Sequence, residues 1–130
     1  AVKAMVLEQQ HYNQSQPIAK IEGIGYNTLM AVSGMSTTIA DLQTKSAADI
    51  DDGTELTLIT ALDNFRKNIT LSGYQITTYS YNPLIGVTSI TPPSGIREVY
   101  IYDTANRLKE VREQNATGNL LKEYQYHYKP

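Results

Sequence analysis

The sequence contains no cysteine, no tryptophan and no long apolar run, and these absences exclude several classes of protein. Without cysteine there is no disulfide framework, no thiolate zinc site and no thiol nucleophile. No run reaches the roughly eighteen apolar residues of a membrane-spanning helix, so none is predicted. A net charge of −2, without a basic stripe, gives no support for nucleic-acid binding.

Residues suited to catalysis or metal binding are also scarce. The two histidines, His11 and His127, have no carboxylate or second histidine at useful spacing, so both are interpreted as ordinary surface or strand residues. The acidic stretch from Asp49 to Glu55 lacks the alternating ligands and the closing glutamate of a calcium loop, so a solvated loop and helix cap is the favoured interpretation. We therefore expect no catalytic residue, cofactor or metal site.

Tyrosine is abundant, with ten residues against one phenylalanine. The pattern Tyr-x-Tyr occurs at 79–81, 100–102 and 124–126, and the second tyrosines are 21 and 24 positions apart. A period just above twenty indicates a repeated unit that stacks on its neighbours. Tyrosine suits a partly solvent-exposed sheet face because its ring is apolar and its hydroxyl is polar. Alternate tyrosines would then form a ladder across neighbouring strands.

The residues between the tyrosines predict tight turns. Asp103 can accept a hydrogen bond from the backbone two residues further on, and Asn106 tolerates a positive φ. The segment from Asp103 to Arg107 therefore predicts a hairpin turn between strands 96–102 and 108–112. One unit earlier, the segment from Asn82 to Gly86 predicts a similar turn, with Gly86 in the left-handed position. Gly118 lies in a third turn, 116–119.

This order of tyrosine, turn, strand and glycine turn resembles the RHS/YD-repeat family of large bacterial surface and toxin-carrier proteins. The segment Tyr102-Asp103 followed by Asn106-Arg107-Leu108 matches the family motif, with asparagine where the family usually has glycine. The segment Tyr81-Asn82 followed by Gly86-Val87 departs further, because Asn replaces Asp, Val replaces Arg and the turn is expected to be one residue longer. The residues assigned to this structural motif are Tyr81, Asn82, Gly86, Tyr100, Tyr102, Asp103, Asn106, Arg107, Gly118, Tyr124 and Tyr126.

The resemblance implies a structural role rather than an enzymatic one. It implies a secreted or cell-surface bacterial fragment that adds hairpins to the wall or cap of a β-shell, which in some family members encloses a toxin domain. Its partner would be the rest of the shell, or a secretion or surface complex. The alternative hypothesis is a module that binds glycans or a cell surface through exposed tyrosines. The direction of the tyrosine rings would discriminate the two.

The predicted fold class is α+β, with short helices flanked by antiparallel hairpins of YD-repeat type. A boundary near Gly73 separates an N-terminal hairpin and helical insert, 1–73, from YD-repeat hairpins, 74–130. The strongest helix covers about 53–67, capped by Asp52 and Glu55. Shorter helices are predicted within 27–32 and 39–44.

The strand predictions at the two ends of the chain are less uniform. Residues 18–24 are predicted to form a strand, 12–17 to be turn-like, and 1–10 to be either strand or helix. The last strand is predicted over 120–128, where an uncovered edge would pair with another chain, so the 130 residues are not expected to be self-sufficient. The sequences Asn68-Ile69-Thr70 and Asn115-Ala116-Thr117 fit the N-glycosylation pattern, which is normally silent in a bacterial protein.

Overall fold

The computed structural model describes residues 4–11, 14–48, 51–68, 73–82 and 85–126. This part of the chain is α+β, as predicted. In chain order its elements are β1 (Ala4–His11), β2 (Gln14–Glu22), α1 (Tyr26–Met30), α2 (Met35–Ala47), α3 (Asp52–Arg66), β3 (Gln75–Asn82), β4 (Gly86–Thr91), β5 (Glu98–Tyr102), β6 (Leu108–Glu113) and β7 (Leu120–Glu123). No helix among the described residues is both long and apolar enough to span a membrane.

The strands form one antiparallel sheet in which spatial order follows chain order, from β1 to β7. Each neighbouring pair is antiparallel, including β2 and β3, which are separated in sequence by all three helices. Ala19 is opposite Thr78 and Ile21 is opposite Ile76 in that pair. The helices are therefore an insertion between adjacent strands, and the sheet continues across the sequence boundary near Gly73.

The apolar core lies between the three helices and the first strands of this sheet. Leu58, Leu62 and Phe65 recur at helical spacing on α3 and are nearly inaccessible to solvent. They meet Ile21 and Ile76, which are paired across β2 and β3. The buried cluster as a whole consists of Ile18, Ala19, Ile21, Ile24, Leu29, Met35, Ile39, Leu42, Leu58, Leu62, Phe65 and Ile76. The fold is thus stabilised mainly where helices cover the sheet.

The start of α3 differs from the prediction by one residue. Asp51, not Asp52, is the N-cap, and its Oδ1 accepts a hydrogen bond from the amide of Thr54 at 2.8 Å. Thr54 Oγ1 accepts in return from the amide of Asp51 at 2.9 Å, which completes the capping box. The predicted partner, Glu55, takes no part in this capping box. These bonds from Thr54, with its amide as the largest cause, lower the pKa of Asp51.

Three further boundaries correct the sequence prediction. Residues 14–17 belong to β2, where the polar composition predicted a turn, and a bulge at Ile18 shifts their register with β1 by one residue. Strand β5 begins at Glu98 rather than at 96. Strand β7 ends at Glu123, so Tyr124 and Tyr126 follow the strand, and 127–128 lie outside the described residues. Pairing partners, rather than local composition, set these limits.

Polar side chains join α3 to the sheet. Glu55 accepts hydrogen bonds from Ser80 Oγ at 3.2 Å and from Thr88 Oγ1, and Ser80 is itself bonded to Ser89 at 2.5 Å. Ser80 is fully buried and Ser89 nearly so. A row of hydroxyls on β3 and β4 therefore takes the place that apolar side chains hold elsewhere on the helix-facing side.

Two arginines complete the contact between α3 and the sheet. Arg97 binds both carboxylate oxygens of Asp63, at 2.5 and 2.7 Å, and its Nε donates to Thr91 Oγ1 at 3.1 Å. Arg66, in the last turn of α3, donates to three main-chain carbonyls. Those carbonyls belong to Ile76, Thr91 and Pro92, at 2.6, 3.1 and 2.6 Å. Charged hydrogen bonds thus fix the end of the helix on strands that bury few apolar residues.

Candidate functional site

The turn after Tyr102 is organised by the carboxylate of Asp103. Its Oδ1 accepts from the amides of Ala105 and Arg107, at 2.9 and 3.0 Å, and its Oδ2 accepts from Arg107 Nε at 3.0 Å. The bond from the Arg107 amide is the main cause of the lowered pKa of Asp103. Asn106 has a φ of 59°, so the predicted positive φ is confirmed. Asp103, Asn106 and Arg107 therefore act together as one turn.

The turn of the preceding unit has the same length. Between the equivalent pairs Tyr81–Val87 and Tyr102–Leu108 each hairpin has five residues, although the first adds the pair Asn82–Gly86 to its ladder. The predicted extra residue in the first turn is therefore wrong. One main-chain hydrogen bond also recurs, because the amide of Ile85 donates to the carbonyl of Asn82 at 3.1 Å, as Asn106 does to Asp103 at 2.9 Å.

The two turns differ in where the positive φ lies. In the first unit it falls on Gly86, one position later than Asn106 in the second. The φ of Gly86 is 145°, which is positive, as expected, but is not the left-handed helical value that was predicted. The longer turn was predicted because Gly86 was matched to Asn106 in the family motif. The two hairpins differ in which residue has the positive φ, and not in their number of residues.

A β-bulge occurs at the same place in both hairpins. In the first, the register shifts between Ser80 and Tyr81, which leaves Thr88 as the extra residue on β4. In the second, it shifts between Ile101 and Tyr102, which leaves Lys109 as the extra residue on β6. Thr88 and Lys109 each follow their turn by the same number of residues, so the hairpins are equivalent in register as well as in turn length.

The second tyrosine of each unit makes the same contact with the unit before it. The hydroxyl of Tyr102 donates to the carbonyl of Val87 at 2.6 Å, and the hydroxyl of Tyr126 donates to the carbonyl of Leu108 at 2.6 Å. Val87 and Leu108 are the first residues after their turns. The hydrogen bond is thus repeated from one unit to the next, which ties consecutive hairpins together.

The residues that precede Val87 and Leu108 in the sequence, Gly86 and Arg107, lie close to the tyrosines that donate to those carbonyls. A Cβ built on Gly86 would lie 3.4 Å from the hydroxyl oxygen of Tyr102, so this position has little spare space. In the next unit the guanidinium of Arg107 lies 4.2 Å from the ring centroid of Tyr126. This cation–π contact adds to the hydrogen bond and fixes the ring over the turn.

The tyrosines lie on the face of the sheet opposite the helices. Ile76, Thr78 and Ser80 alternate towards the helices on β3, so Tyr79 and Tyr81 point to the other side. The strand pairing places Tyr100 on that same side, opposite Val111, while Tyr79 is opposite Ile90. The tyrosines therefore share a face, but an aliphatic side chain stands opposite each of these two, where the predicted ladder would place a tyrosine. We call this surface, formed by Tyr79, Tyr81, Tyr100, Tyr102 and Tyr124, the tyrosine face.

The electrostatics of the tyrosine face agree with half-buried phenols. Burial is the main cause that raises the pKa of Tyr100 to about 12, followed by its hydrogen bond to Glu98, at 2.8 Å, and the neighbouring Tyr102 and Tyr124. Burial, followed by Tyr79, likewise raises the pKa of Tyr81 to about 12.

Gly118 has a packing role in the loop between β6 and β7. A Cβ at this position would lie 1.8 Å from the main-chain carbonyl oxygen of Glu113, so only glycine fits. The carbonyl of Gly118 accepts from Arg112 Nη1 at 2.9 Å, while the same guanidinium binds Glu110 through two nitrogens. The predicted turn at 116–119 is therefore a fixed connection between two strands.

The described residues offer few groups for chemistry. They contain no group of three His, Asp or Glu residues placed to hold a metal ion. His11 lies in β1, His127 lies outside the described residues, and Asp51 of the acidic stretch is occupied as a helix cap. The polar residues that sequence reasoning missed, Asp63, Arg66 and Arg97, join α3 to the sheet, and no local pattern marks contacts between residues so distant in sequence.

Comparisons with known proteins give no relative for this chain: no family model, curated protein or solved structure matches it.

Proposed function

We propose that this chain is a structural part of an exported bacterial RHS/YD-repeat protein, in which its hairpins form a section of a β-shell wall or cap. The observation that carries the proposal is the hydrogen bond from Tyr102 to Val87, repeated from Tyr126 to Leu108. A contact that recurs between consecutive units at the same position is what a repeat array requires, because each unit is stabilised by its neighbours.

The limited burial of the last three strands also supports a wall section. Of the buried apolar residues in the described part of the chain, only Val111 belongs to β5, β6 or β7. These strands continue the sheet beyond the helices, so each of their faces is largely uncovered by described residues. A sheet of this kind needs neighbouring structure to bury its apolar atoms.

The last described edge provides a place for that neighbour. In the described chain β7 is paired on one side only. The amide of Tyr124 donates to Lys109, so by alternation the main-chain groups of Glu123 point away from β6. Exposed apolar side chains gather at this edge, at Leu120 and Leu121. An unpaired edge with these properties favours the addition of a further strand.

The alternative, a module that binds glycans or a cell surface through tyrosines, has weaker support. Such sites stack sugar rings on exposed aromatic faces and use free polar groups. The hydroxyls of Tyr100, Tyr102 and Tyr126 already donate within the chain, and the ring of Tyr126 is in contact with Arg107. These contacts favour a packing role for the rings.

The test compares the 130-residue chain with a longer chain that includes flanking residues of its gene. The expected result is that the short chain self-associates or unfolds at a concentration-dependent temperature, measured by analytical ultracentrifugation and calorimetry. The longer chain should unfold at a higher temperature. A short chain that remains monomeric, with a sharp transition independent of concentration, would contradict the truncated-array interpretation. Titration with a glycan panel tests the alternative, and saturable binding to the tyrosine face would favour it.

The proposal also includes the absence of catalysis by this segment. Substrates for glycosidases, peptidases, nucleases and esterases should show no turnover above background. Turnover that is lost in His11→Ala or His127→Ala would require a different function.

A further inference from the structure

We propose that Asn115 is an acceptor site for an N-linked glycan, transferred from a lipid-linked oligosaccharide by a bacterial oligosaccharyltransferase. The inference goes beyond the structural role and rests on two parts of the proposed function, the bacterial origin and the exported location. It reverses the sequence-based expectation that the Asn-x-Thr pattern is silent here.

The residues around Asn115 carry more than the minimal pattern. The segment reads Glu113-Gln114-Asn115-Ala116-Thr117, with an acceptor amide, a threonine two residues later and no proline between them. It also has a carboxylate two residues before the asparagine, at Glu113. A carboxylate at a fixed distance is readily recognised by an arginine of the enzyme.

The structure places this segment where an enzyme can reach it. Residues 114–117 form the exposed tip of the loop between β6 and β7. Glu113 and Asn115 line the same open concavity of about 280 Å³. The acidic residue and the acceptor amide are therefore presented together on one surface of the folded chain.

The side chain of Asn115 is held with its nitrogen available. Its Oδ1 accepts hydrogen bonds from the amide and from the hydroxyl of Thr117, both at 2.9 Å. Within the described chain, no residue accepts a hydrogen bond from its Nδ2. The amide is thus oriented through its oxygen, and its nucleophilic atom faces solvent.

The second Asn-x-Thr segment provides an internal contrast. Asn68 is half-buried just after the end of α3, and Thr70 lies outside the described residues. Two residues before it stands Arg66, a cation that binds three main-chain carbonyls. Asn68 thus lacks the preceding carboxylate and is itself half-buried, so the proposal assigns one glycan, at Asn115.

The transfer is a substitution at a sugar carbon. A bond forms between Asn115 Nδ2 and C1 of the first sugar, while the bond from C1 to the oxygen of the lipid diphosphate breaks. The lipid diphosphate leaves with the electron pair, and the amide proton passes to a base of the transferase. No oxidant or reductant takes part.

The experiment directs the full chain to the periplasm of a bacterial host that carries an oligosaccharyltransferase and its lipid-linked oligosaccharide. A known acceptor peptide in the same host confirms that the enzyme is active. Intact-mass spectrometry should show one glycan mass on the chain. Asn115→Gln should abolish the mass shift, and the matched control, Asn68→Gln, should retain it.

Two further variants separate recognition from folding. Glu113→Gln keeps the shape of the side chain and should lose most of the mass shift, whereas Thr117→Ser keeps the hydroxyl and should retain it. Unglycosylated wild-type chain beside a modified acceptor peptide would overturn the proposal, as would a glycan that persists in Asn115→Gln. Neither result bears on self-association, so failure here is distinguishable from failure of the proposed structural role.

Discussion

The two halves of the sheet are stabilised by different means. Strands β2 and β3 and the helices bury an apolar cluster that includes Ile21, Leu58 and Phe65. Strands β5 to β7 bury only Val111 among their described residues, and are held instead by hydrogen bonds, ion pairs and half-buried tyrosines. The first half therefore has an apolar core of its own, whereas the second half depends on polar contacts and half-buried rings.

The contact between the halves is polar. Glu55 binds hydroxyls on β3 and β4, while Asp63 binds Arg97 just before β5. Such contacts are directional, so they set the position of α3 on the sheet more than they add net free energy. The helices thus complete an apolar core against β2 and β3 but do not cover β5 to β7.

Truncation of the apolar core should have the largest effect. Leu58→Ala leaves a cavity at a fully buried site and should lower the free energy of unfolding by about 2–5 kcal/mol. Val111→Ala in the second half should lower the free energy of unfolding by about 1–2 kcal/mol, since the substitution removes two buried methyl groups. Urea denaturation measures both. Equal losses would mean that the two halves share one core.

The Asp63–Arg97 pair should show the next largest effect. Asp63→Asn removes a carboxylate that receives two charged hydrogen bonds and should lower stability by about 1.5–3 kcal/mol. The matched control is Asp41→Asn, because Asp41 pairs with Lys45 on the solvent-accessible side of α2, a contact worth about 0.3–0.5 kcal/mol. Hydrogen exchange should rise in β4 and β5 only in the Asp63 variant. An equal response in the control would contradict a special role for this pair.

The sequence predicted the parts of the fold that depend on neighbouring residues. The turn at Asp103 and the positive φ at Asn106 follow from side chains that act within five residues, and both are confirmed. The N-cap was misplaced by one residue because two adjacent aspartates, Asp51 and Asp52, offer the same chemistry. The roles of Glu55 and Arg97 were not predictable, since their partners lie 25 to 34 residues away in sequence.

Glycine at position 118 should be indispensable to the second half. Gly118→Ala places a Cβ 1.8 Å from a main-chain oxygen, so the loop must move, and stability should fall by about 1–3 kcal/mol. Gly73→Ala is the control, because a Cβ there meets nothing within 4 Å and its φ is not positive. That variant should change stability by less than about 0.5 kcal/mol. Thermal unfolding measures the stability of both variants, and equal midpoints would contradict a special packing role for Gly118.

Substitution in the second turn tests the equivalence of the hairpin units. Asn106→Gly should be neutral or slightly stabilising, because glycine adopts a positive φ without strain. Asn106→Val should lower stability by about 1–2 kcal/mol, since a β-branched residue is penalised there. Denaturant midpoints measure the difference. If valine is tolerated as well as glycine, the turn does not depend on this backbone conformation.

The smallest expected effect concerns pH. Burial raises the pKa of both Tyr81 and Tyr100 to about 12 in the folded chain, against about 10 in an unfolded one. Their contribution to stability is therefore complete below about pH 10 and is lost as the pH rises towards 12. Phenolate absorbance should show a late-titrating class that shrinks in Tyr100→Phe. Titration of every tyrosine near pH 10 would contradict half-burial of this face.

The bulges have a consequence for the shape of any extended sheet. Each hairpin has one, at Ile18, Thr88 and Lys109, and a further register shift lies between β6 and β7. A bulge bends its strand and increases the local right-handed twist. One bulge per hairpin therefore adds a bend with every unit, so that a longer run of such units follows a coiled path instead of a plane. The bend of such a sheet would thus arise once in each pair of strands, from a single residue that has no opposite residue on the paired strand.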